Sequence, residues 1–290
     1  MSFRIVVLAK QVPDTRNVGK DAMKEDGTVN RAALPAIFNP EDLNALEMAL
    51  EIKDRKKDAV ISIITMGPSR AAEIIRDSIY RGADNGIVVS DRKVAGSDTL
   101  ATSYTISQAV KKLGHVDLVL CGRQAIDGDT AQVGPQVAEK LNIPQITYAE
   151  EVISVSEKSI EIKRRLERGI EVVECGYPCL ITVHGSAKAC RFSHAKRVMK
   201  YKYSLSASEA VERNVDMTQA WANKPYLKIE EWNAADIAAE DSRLGLTGSP
   251  TKVKKIENVV LAQKESVNLS TSDEDIDGLM KELIAAHIIG

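Results

Sequence analysis

The sequence predicts an α/β protein built around a parallel β-sheet. Short apolar segments rich in β-branched residues alternate with longer amphipathic segments over the first 122 residues. Each apolar segment is followed by a turn of glycine, proline or polar residues before the next amphipathic segment begins. This alternation is typical of right-handed β-α-β crossovers, which bury the strands between two layers of helices.

Four strands and three helices are predicted in this first part. The strands are residues 4–10, 59–67, 85–91 and 117–122, and the helices between them are residues 39–56, 69–82 and 97–114. Pro40 lies in the first turn of the first helix and Asp42 near its positive end, both favourable positions. Ser97 and Asp98 are capping residues of the third helix, which ends at Gly114 after two lysines. Ligands are expected at the edge where the carboxyl ends of the strands meet.

The pattern changes after Ala149, where alternating polarity around a short turn predicts an antiparallel hairpin. The later segments are the hairpin at 159–166 and 170–175, an apolar strand at 178–183, a basic stretch at 186–203, a polar stretch with helical pieces at 204–246, a turn at 246–253 and an amphipathic helix at 273–287. No internal repeat is present.

Composition restricts the partners and the compartment. The formal net charge is −2, so no overall basic field would recruit nucleic acid or an anionic membrane. Aromatic residues make up 4% of the chain, which argues against a platform for stacking nucleic-acid bases. No apolar stretch reaches the roughly 18 residues of a membrane helix, and the N-terminal apolar segment is too short for a signal peptide. We therefore expect a cytoplasmic protein without a membrane span.

The cysteines and histidines predict no metal site. Cys121, Cys175, Cys179 and Cys190 show neither CxxC nor paired metal spacing, and buried thiols are the favoured interpretation over a metal or redox centre. The four histidines are scattered along the chain. No residue is predicted to act as a catalytic acid, base or nucleophile.

The most informative stretch is “CGRQAIDGDTAQVGP”, residues 121–135, between the fourth strand and a further helix. It lacks the Walker lysine and the GxGxxG spacing, so neither the P-loop nor the dinucleotide fingerprint applies. Gly128 is expected to take a positive φ, Asp129 to cap the helix, and the N–H groups of residues 130–134 to face an anion such as pyrophosphate. Arg123 would neutralise charge from the side. A capped turn without any ligand explains the same residues equally well.

A second turn, “TMGP” at residues 65–68, follows the second strand. Gly67 would allow close approach of a planar ring, and Met66 would lie against its face. A tight turn with ordinary methionine packing is the simpler alternative.

Several stretches, in order along the chain, resemble one family. They are “KQVPDT” (10–15), “NPEDLNALE” (39–47), “TMGP” (65–68), “GSDTLATS” (96–103), “CGRQAIDGDTAQVGP” (121–135), residues 162–182 and “GSPTKV” (248–253). Through them the chain resembles the β subunit of electron-transfer flavoproteins over nearly its whole length. The turn at 121–135 together with “VPDT” is similar to the electron-bifurcating type, whereas members that only carry electrons resemble “DxxNQTG” there and bind AMP.

The resemblance implies an adenine nucleotide alpha hydrolase-like (Rossmann-like) domain with an added β-hairpin and an extended C-terminal arm. It implies one FAD in this subunit and a second FAD in an α subunit on which the arm docks. The cofactor-binding residues that it implies by matching position are Ala9, Val12, Asn39, Pro40, Glu41, Asp42, Met66, Gly67, Thr99, Leu100, Thr102, Cys121, Gly122, Arg123, Gln124, Asp127, Gly128, Asp129, Thr130, Ala131, Gln132, Val133 and Gly134.

The resemblance also implies an electron-bifurcating role. NADH would deliver a hydride to the FAD in this subunit, and two electrons would leave singly. One would pass through the α-subunit FAD to an acyl-CoA or 2-hydroxy-acid dehydrogenase, and the other to a low-potential carrier such as ferredoxin or flavodoxin. Two alternatives stay open: a non-bifurcating subunit that binds AMP only, and a nucleotide-binding sensor with no redox role.

The implied domain organisation has two parts. Residues 1–205 form the nucleotide-binding domain, which includes the hairpin at 150–183 and a partner-recognition loop at about 188–199. Residues 206–290 contain most of an insertion, about 204–230, and the C-terminal arm. The insertion is interpreted equally well as a partner-specific contact or as a surface excursion.

Overall fold

The computed structural model describes residues 2–14, 35–251 and 268–289, which contain eleven strands and eight α-helices. The chain forms two compact units, Met1–Lys255 and Ile256–Gly290. Residues 206–251 lie in the first unit, together with the predicted nucleotide-binding domain. The division after residue 205 that the sequence suggested differs from this one.

A nine-stranded sheet forms the centre of the first unit, and its order is β11-β5-β4-β1-β6-β10-β7-β8-β9. The eleven strands of the described residues are β1 (Arg4–Leu8), β2 (Gln11–Pro13), β3 (Ala36–Phe38), β4 (Val60–Met66), β5 (Asn85–Val89), β6 (Leu118–Gly122), β7 (Gln145–Val155), β8 (Ser159–Leu166), β9 (Gly169–Gly176), β10 (Cys179–Val183) and β11 (Glu230–Trp232). Strands β2 and β3 are not part of the large sheet and pair with each other in a separate antiparallel sheet. The neighbours from β11 to β7 are parallel, and β7, β8 and β9 are antiparallel. The predicted α/β class with a mainly parallel sheet is confirmed.

Helices cover both faces of this sheet. They are α1 (Pro40–Arg55), α2 (Ala72–Arg81), α3 (Thr99–Leu113), α4 (Val133–Leu141), α5 (Ala195–Tyr201), α6 (Ala207–Glu212) and α7 (Thr218–Asn223), with α8 (Asp273–Ala285) in the second unit. Helix α2 begins later than predicted because Ser69–Ala71 forms a 3-10 turn. Asp98 caps α3 as expected, since its carboxylate accepts from the N–H groups of Leu100 and Ala101.

The sheet separates two apolar cores. Helices α1 and α2 pack on one face, where residues such as Leu46 and Ile75 meet Ile61 and Leu120. Helices α3 and α4 pack on the other face against the alternate residues of the same strands. Burial on both faces explains why these strands are continuous apolar runs in the sequence.

The strand order reverses between β1 and β6. The chain leaves β1 through α1 toward β4 on one side, and it leaves β6 through α4, on the opposite face, toward β7 on the other side. In open α/β sheets the loops at such a switch point diverge and leave a crevice beyond the carboxyl ends of the strands. The loops after β1 and β6 therefore border the edge where a ligand is expected.

The predicted hairpin is present as β8 and β9, which pair from Ser159 with Gly176 to Leu166 with Gly169. Strand β7 extends the same antiparallel layer, with irregularities in its register to β8. The last predicted strand, β10, inserts between β6 and β7 in parallel to both.

The second unit contains α8, with Ser272 as its N-cap. Several large apolar side chains of this helix are exposed, among them Ile276, Met280 and Ile284. No helix in the described ranges is both long enough and apolar enough to span a bilayer.

Candidate functional site

The candidate site lies at the switch point, where β1, β6 and the start of α1 meet. Asp42, in the first turn of α1, is buried and joins the two strand ends. Its Oδ2 accepts from the Lys10 N–H at 2.9 Å, and its Oδ1 accepts from the Gly122 N–H at 2.8 Å. One carboxylate thus fixes the distance between the backbones that leave β1 and β6.

Burial makes the ionised form of this carboxyl group costly. It raises the pKa of Asp42 from 3.8 to about 7, against the lowering effect of the Lys10 and Gly122 N–H groups. Burial likewise raises the pKa of the neighbouring Cys121 thiol, and the Asp42 carboxylate adds to that rise. Cys121 is therefore a protonated packing residue and not a reactive thiolate.

Asn39 and Glu41, on either side of Pro40, hold the first half of the turn that follows β6. The Asn39 Nδ2 donates to the Gln124 carbonyl at 2.8 Å, and its Oδ1 accepts from the Ile126 N–H at 3.2 Å. The Glu41 carboxylate accepts from the Gln124 N–H at 3.0 Å and from Arg123 Nη2 at 2.9 Å. Hydrogen bonds from the start of α1 therefore fix the backbone conformation of residues 123–126.

An ion pair crosses the mouth of the crevice. The Lys10 ammonium lies 2.8 Å from Asp127 Oδ1, which connects the loop after β1 to the turn after β6. Lys10 is absent from the residues that the resemblance implied. The sequence placed Lys10 at the end of the predicted strand 4–10, and a charged residue at the carboxyl end of a strand was the signal that would have indicated it.

The structure corrects two predictions about this turn. Gly128 is not among the residues with positive φ; Asp129 and Ala131 take φ values of 48° and 52° instead. Asp129 does not cap α4, because the N-cap is Gln132, which makes no side-chain cap hydrogen bond. The Asp129 carboxylate instead accepts from Gln124 Nε2 at 2.8 Å.

The turn leaves a row of main-chain donors without partners. Within the described part of the chain, the N–H groups of Thr130, Ala131, Gln132, Val133 and Gly134 donate no hydrogen bond. The left-handed residues Asp129, just before this row, and Ala131, within it, favour an anion there, and so does the positive end of α4. The donor set therefore fits a phosphate-bearing cofactor such as FAD or AMP.

Two glycines bring the backbone close to its neighbours. A Cβ at Gly122 would lie 2.6 Å from Asp42 Oδ1 and 2.7 Å from the Glu41 carbonyl carbon. A Cβ at Gly134 would lie 2.8 Å from both Cys121 Sγ and Thr182 Cγ2. The first contact sets the approach of α1 to β6, and the second sets the approach of α4 to the sheet.

The start of α3 borders the same row of donors. Thr99 Oγ1 donates to Gln132 Oε1 at 2.8 Å, which links α3 to the N-cap of α4. Leu100 is exposed and Thr102 is partly exposed, so both side chains are accessible to a ligand. The second carboxylate oxygen of Asp98, Oδ2, accepts from Thr251 Oγ1 at 2.7 Å, so Thr251 helps to hold the start of α3 in place.

The remaining predicted residues have different environments. Ala9 and Val12 are buried, and the Ala9 N–H donates to the Ile64 carbonyl at 2.9 Å. Met66 and Gly67 are partly exposed at the end of β4, and the Met66 side chain packs against apolar residues on the α3 face of the sheet. Contact with a cofactor at these positions stays a prediction.

The predicted partner-recognition loop, residues 188–199, is fixed to α1 and α2 by its arginines. The Arg191 guanidinium lies 3.0 Å from Glu47 Oε1 and 2.8 Å from Asp54 Oδ2. Arg197 donates to the carbonyls of Ile79 and Ala83 at the end of α2. Phe192, between them, is 94% exposed. Ion pairs and hydrogen bonds thus hold this loop against α1 and α2, and the loop exposes the large apolar side chain of Phe192.

A cavity of about 430 Å³ lies at the opposite edge of the sheet, lined by residues such as Arg4, Asp84 and His115. It shares no residue with the predicted site. The candidate site is an open edge of the sheet and not a deep cavity. It is identified by the N–H groups of residues 130–134, which are available to an anion.

The fold and the site define a class: α/β proteins with a Rossmann-like parallel sheet and an anion-receptive turn at the switch point. The family model for the electron transfer flavoprotein domain matches residues 26–205. The chain belongs to the electron transfer flavoprotein family, as a β subunit, the class of subunit that pairs with an α subunit in electron transfer.

Three relatives match this chain over nearly all of both sequences. The electron transfer flavoprotein subunit beta of Megasphaera elsdenii is 42% identical over 99% of this chain and 100% of its own length. The caffeyl-CoA reductase-Etf complex subunit CarD of Acetobacterium woodii is 38% identical, with the same coverage. The acryloyl-CoA reductase electron transfer subunit gamma of Anaerotignum propionicum is 39% identical, again over 99% and 100%.

Proposed function

We propose that this β subunit binds its own FAD at the switch point and belongs to the electron-bifurcating type. When bound, FAD would supply hydride acceptance from NADH and release of single electrons to the α-subunit FAD and to ferredoxin or flavodoxin. The partner enzyme would be an acyl-CoA dehydrogenase or, as a second class, a 2-hydroxy-acid dehydrogenase. The complex would work in the cytoplasm.

The row of free N–H groups from Thr130 to Gly134 carries this proposal. Five consecutive main-chain donors at a helix start match a diphosphate, which offers several acceptor oxygens. The Lys10 ammonium pairs with Asp127 at the mouth of the crevice and neutralises its negative charge. The Asp127 carboxylate would therefore repel the diphosphate less than an unpaired carboxylate. A single phosphate would use fewer of these donors, which favours FAD over AMP.

Arg123 would orient the cofactor as part of an ion pair. Glu41 lies against its guanidinium, and the Tyr148 ring centre lies 5.9 Å from the guanidinium carbon. Glu41 compensates part of the positive charge, so Arg123 would act on the flavin more weakly than a free cation. The main contribution of the chain is then to bind, orient and shield the cofactor, and no side chain needs to act as an acid or base.

The names of the relatives support the choice of partner. Two of the similar proteins are named for caffeyl-CoA reductase and acryloyl-CoA reductase. Both names refer to enzymes that act on CoA thioesters, which favours an acyl-CoA substrate class here. A subunit that binds AMP only, with a single FAD in the α subunit, is the second candidate. A sensor without a redox role is not proposed, because the family works in electron transfer.

Flavin content decides between the first two candidates. The purified heterodimer is expected to contain two FAD, whereas the AMP-binding alternative contains one FAD and one AMP. Thr130→Glu should reduce FAD affinity of the β subunit at least tenfold, because a carboxylate at the donor row competes with and repels the diphosphate. Thr130→Gln is the matched neutral control and should retain two FAD. One FAD in the unaltered heterodimer would contradict the proposal.

Phe192 is expected to be an anchor for the dehydrogenase. Phe192→Ala should lower the rate of electron transfer to the partner about tenfold, the usual effect of losing a central aromatic contact, with flavin content unchanged. Val211→Ala, at another exposed apolar residue outside the loop, is the control and should have no effect. Stopped-flow reduction of the partner would measure both, and equal rates for Phe192→Ala and the unaltered protein would exclude this role.

A further inference from the structure

Residues 204–232, here called the α6–β11 segment, form a small unit on the outside of α2. The N–H of Leu205 donates to the Leu227 carbonyl at 3.0 Å, and the N–H of Ile229 returns to the Leu205 carbonyl at 3.0 Å. Leu205, Ala210, Met217 and Leu227 form a buried apolar cluster of their own. Strand β11 then pairs with β5 at the edge of the main sheet. The segment is therefore built into the domain and is not a loose surface excursion.

A buried ion pair joins this segment to α2. Arg76 Nη1 lies 2.6 Å from Glu209 Oε2, and Arg76 Nη2 lies 2.8 Å from Glu209 Oε1. Arg76 also donates to the Ser204 carbonyl at 3.1 Å. The two residues are only 8% and 2% exposed. A two-point contact between desolvated charges fixes both distance and orientation, because any shift leaves a buried charge unpaired.

Glu209 is fixed from its own side as well. Its carboxylate accepts from the Ser206 N–H, and the Ser206 hydroxyl accepts from the Glu209 N–H, which forms a capping box at the start of α6. Arg213 lies 3.2 Å from Glu209 Oε1. The acceptor oxygens of Glu209 are thus used inside the protein, so this carboxylate is not free for a partner.

A second contact reaches the turn that precedes α2. Ser69 is buried, and its Oγ donates to Glu212 Oε2 at 2.6 Å. Ser69 directly follows Met66, Gly67 and Pro68, where the chain leaves β4 at the carboxyl edge of the sheet and is predicted to border the cofactor. The Gly67 N–H donates to the Val89 carbonyl, and the Ala71 N–H donates to the Pro68 carbonyl. Helix α6 therefore contacts α2 through the Arg76–Glu209 ion pair, and it contacts the turn before α2 through the hydrogen bond from Ser69 to Glu212.

We propose that α6 is an internal brace for residues 66–71, with Glu209 and Glu212 as positioning residues for that turn. The inference rests on the proposed function, because it assumes that this turn borders the bound cofactor. It assigns a role to the predicted insertion that differs from both interpretations of the sequence: the segment shapes the cofactor site from within the domain.

Amide hydrogen exchange of the cofactor-free full-length protein tests the brace directly. In Glu212→Gln and Ser69→Ala, the amides of Gly67 and Ala71 should exchange at least threefold faster, because the turn loses its outer support. Glu209→Gln should produce a larger increase at the same amides. Asp241→Asn, which removes the exposed Lys93–Asp241 pair elsewhere on the domain, is the matched control and should leave these rates unchanged.

FAD affinity of the heterodimer is the second measurement. Glu212→Gln and Ser69→Ala should raise the dissociation constant of the β-subunit FAD at least threefold, with the far-ultraviolet circular dichroism unchanged. If Glu209→Gln does not fold, these two variants still decide the question, since Glu212 is exposed and neither variant leaves a buried charge unpaired. Unchanged exchange at Gly67 and Ala71, or an unchanged dissociation constant, would overturn the brace. An unaltered heterodimer without FAD in this subunit would overturn the proposed function instead, and the exchange data would still report on the brace.

Discussion

Replacement of Gly122 by valine is expected to abolish FAD retention by this subunit and to lower the free energy of unfolding by about 3 kcal/mol or more. A Cβ at this position would lie 2.7 Å from the Glu41 carbonyl carbon and 2.8 Å from the Asp42 N. Because both are backbone atoms in the first turn of α1, relief requires the helix start to move. That movement breaks the hydrogen bond from Gly122 to Asp42, which spans the switch point.

Gly128→Val provides the matched control in the same turn. No atom lies within 4 Å of a Cβ at Gly128, and its φ lies outside the left-handed region. The free energy of unfolding should change by no more than about 0.5 kcal/mol, so this variant is the control for stability. Denaturant unfolding measures the stability of both variants, and flavin absorbance of the purified heterodimer measures the FAD content of Gly122→Val. A Gly122→Val protein that keeps its stability and its FAD would show that the contact between α1 and β6 does not form the site.

Asp42→Asn is expected to remove a pH dependence of stability between about pH 4 and pH 7. The folded pKa is raised to about 7, whereas the unfolded chain has the ordinary value near 3.8. In this window the folded state keeps a proton that the unfolded state has released. The contribution of Asp42 to stability is therefore greatest below pH 4, falls as the pH rises, and reaches its minimum above pH 7.

The difference in the free energy of unfolding between the unaltered protein and Asp42→Asn, measured as a function of pH, isolates the contribution of the Asp42 carboxyl group. A shift of about 3 pKa units corresponds to at most about 4 kcal/mol, so the stability of the unaltered protein relative to Asp42→Asn should fall by up to that amount from pH 4 to 7.5. Lys10, Asn39 and Cys121, the side chains that interact with Asp42, are present in both proteins. Asparagine supplies one acceptor instead of two, which adds a constant offset. Parallel pH profiles from urea unfolding would contradict the shifted pKa.

The local features of the fold could be predicted from the sequence because they depend on neighbouring residues. Asp98 at the N-cap of α3, Pro40 in the first turn of α1 and Gly114 at the end of α3 each act within one helical turn. The polarity pattern of the β8–β9 hairpin is equally local. The position of the turn between β6 and α4 could also be predicted, since it depends only on a strand, a glycine-rich stretch and a helix in that order, whereas anion binding there stays a prediction.

The details of that turn could not be predicted, because distant contacts decide them. Asn39 and Glu41, about 80 positions earlier, hold residues 123–126 by hydrogen bonds, and the left-handed residues of the turn are Asp129 and Ala131 instead of the predicted Gly128. The ion pair between Arg76 and Glu209 spans 133 positions, and no local pattern indicates it. Sequence periodicity thus predicted the strands and helices that border the candidate site, whereas hydrogen bonds and ion pairs between residues distant in sequence determine the geometry of the turn.

The place of β10 in the sheet has a consequence for synthesis of the protein. This strand separates β6 from β7 although the ribosome makes it after both. The Arg123 N–H, at the start of the cofactor turn, donates to the carbonyl of Val183, the last residue of β10, at 2.8 Å. A nascent chain that ends before this strand has two unpaired strand edges and an untethered turn. The turn after β6 therefore gains this tether only after residue 183 of 290 has been made, and shorter translation products would be prone to aggregate.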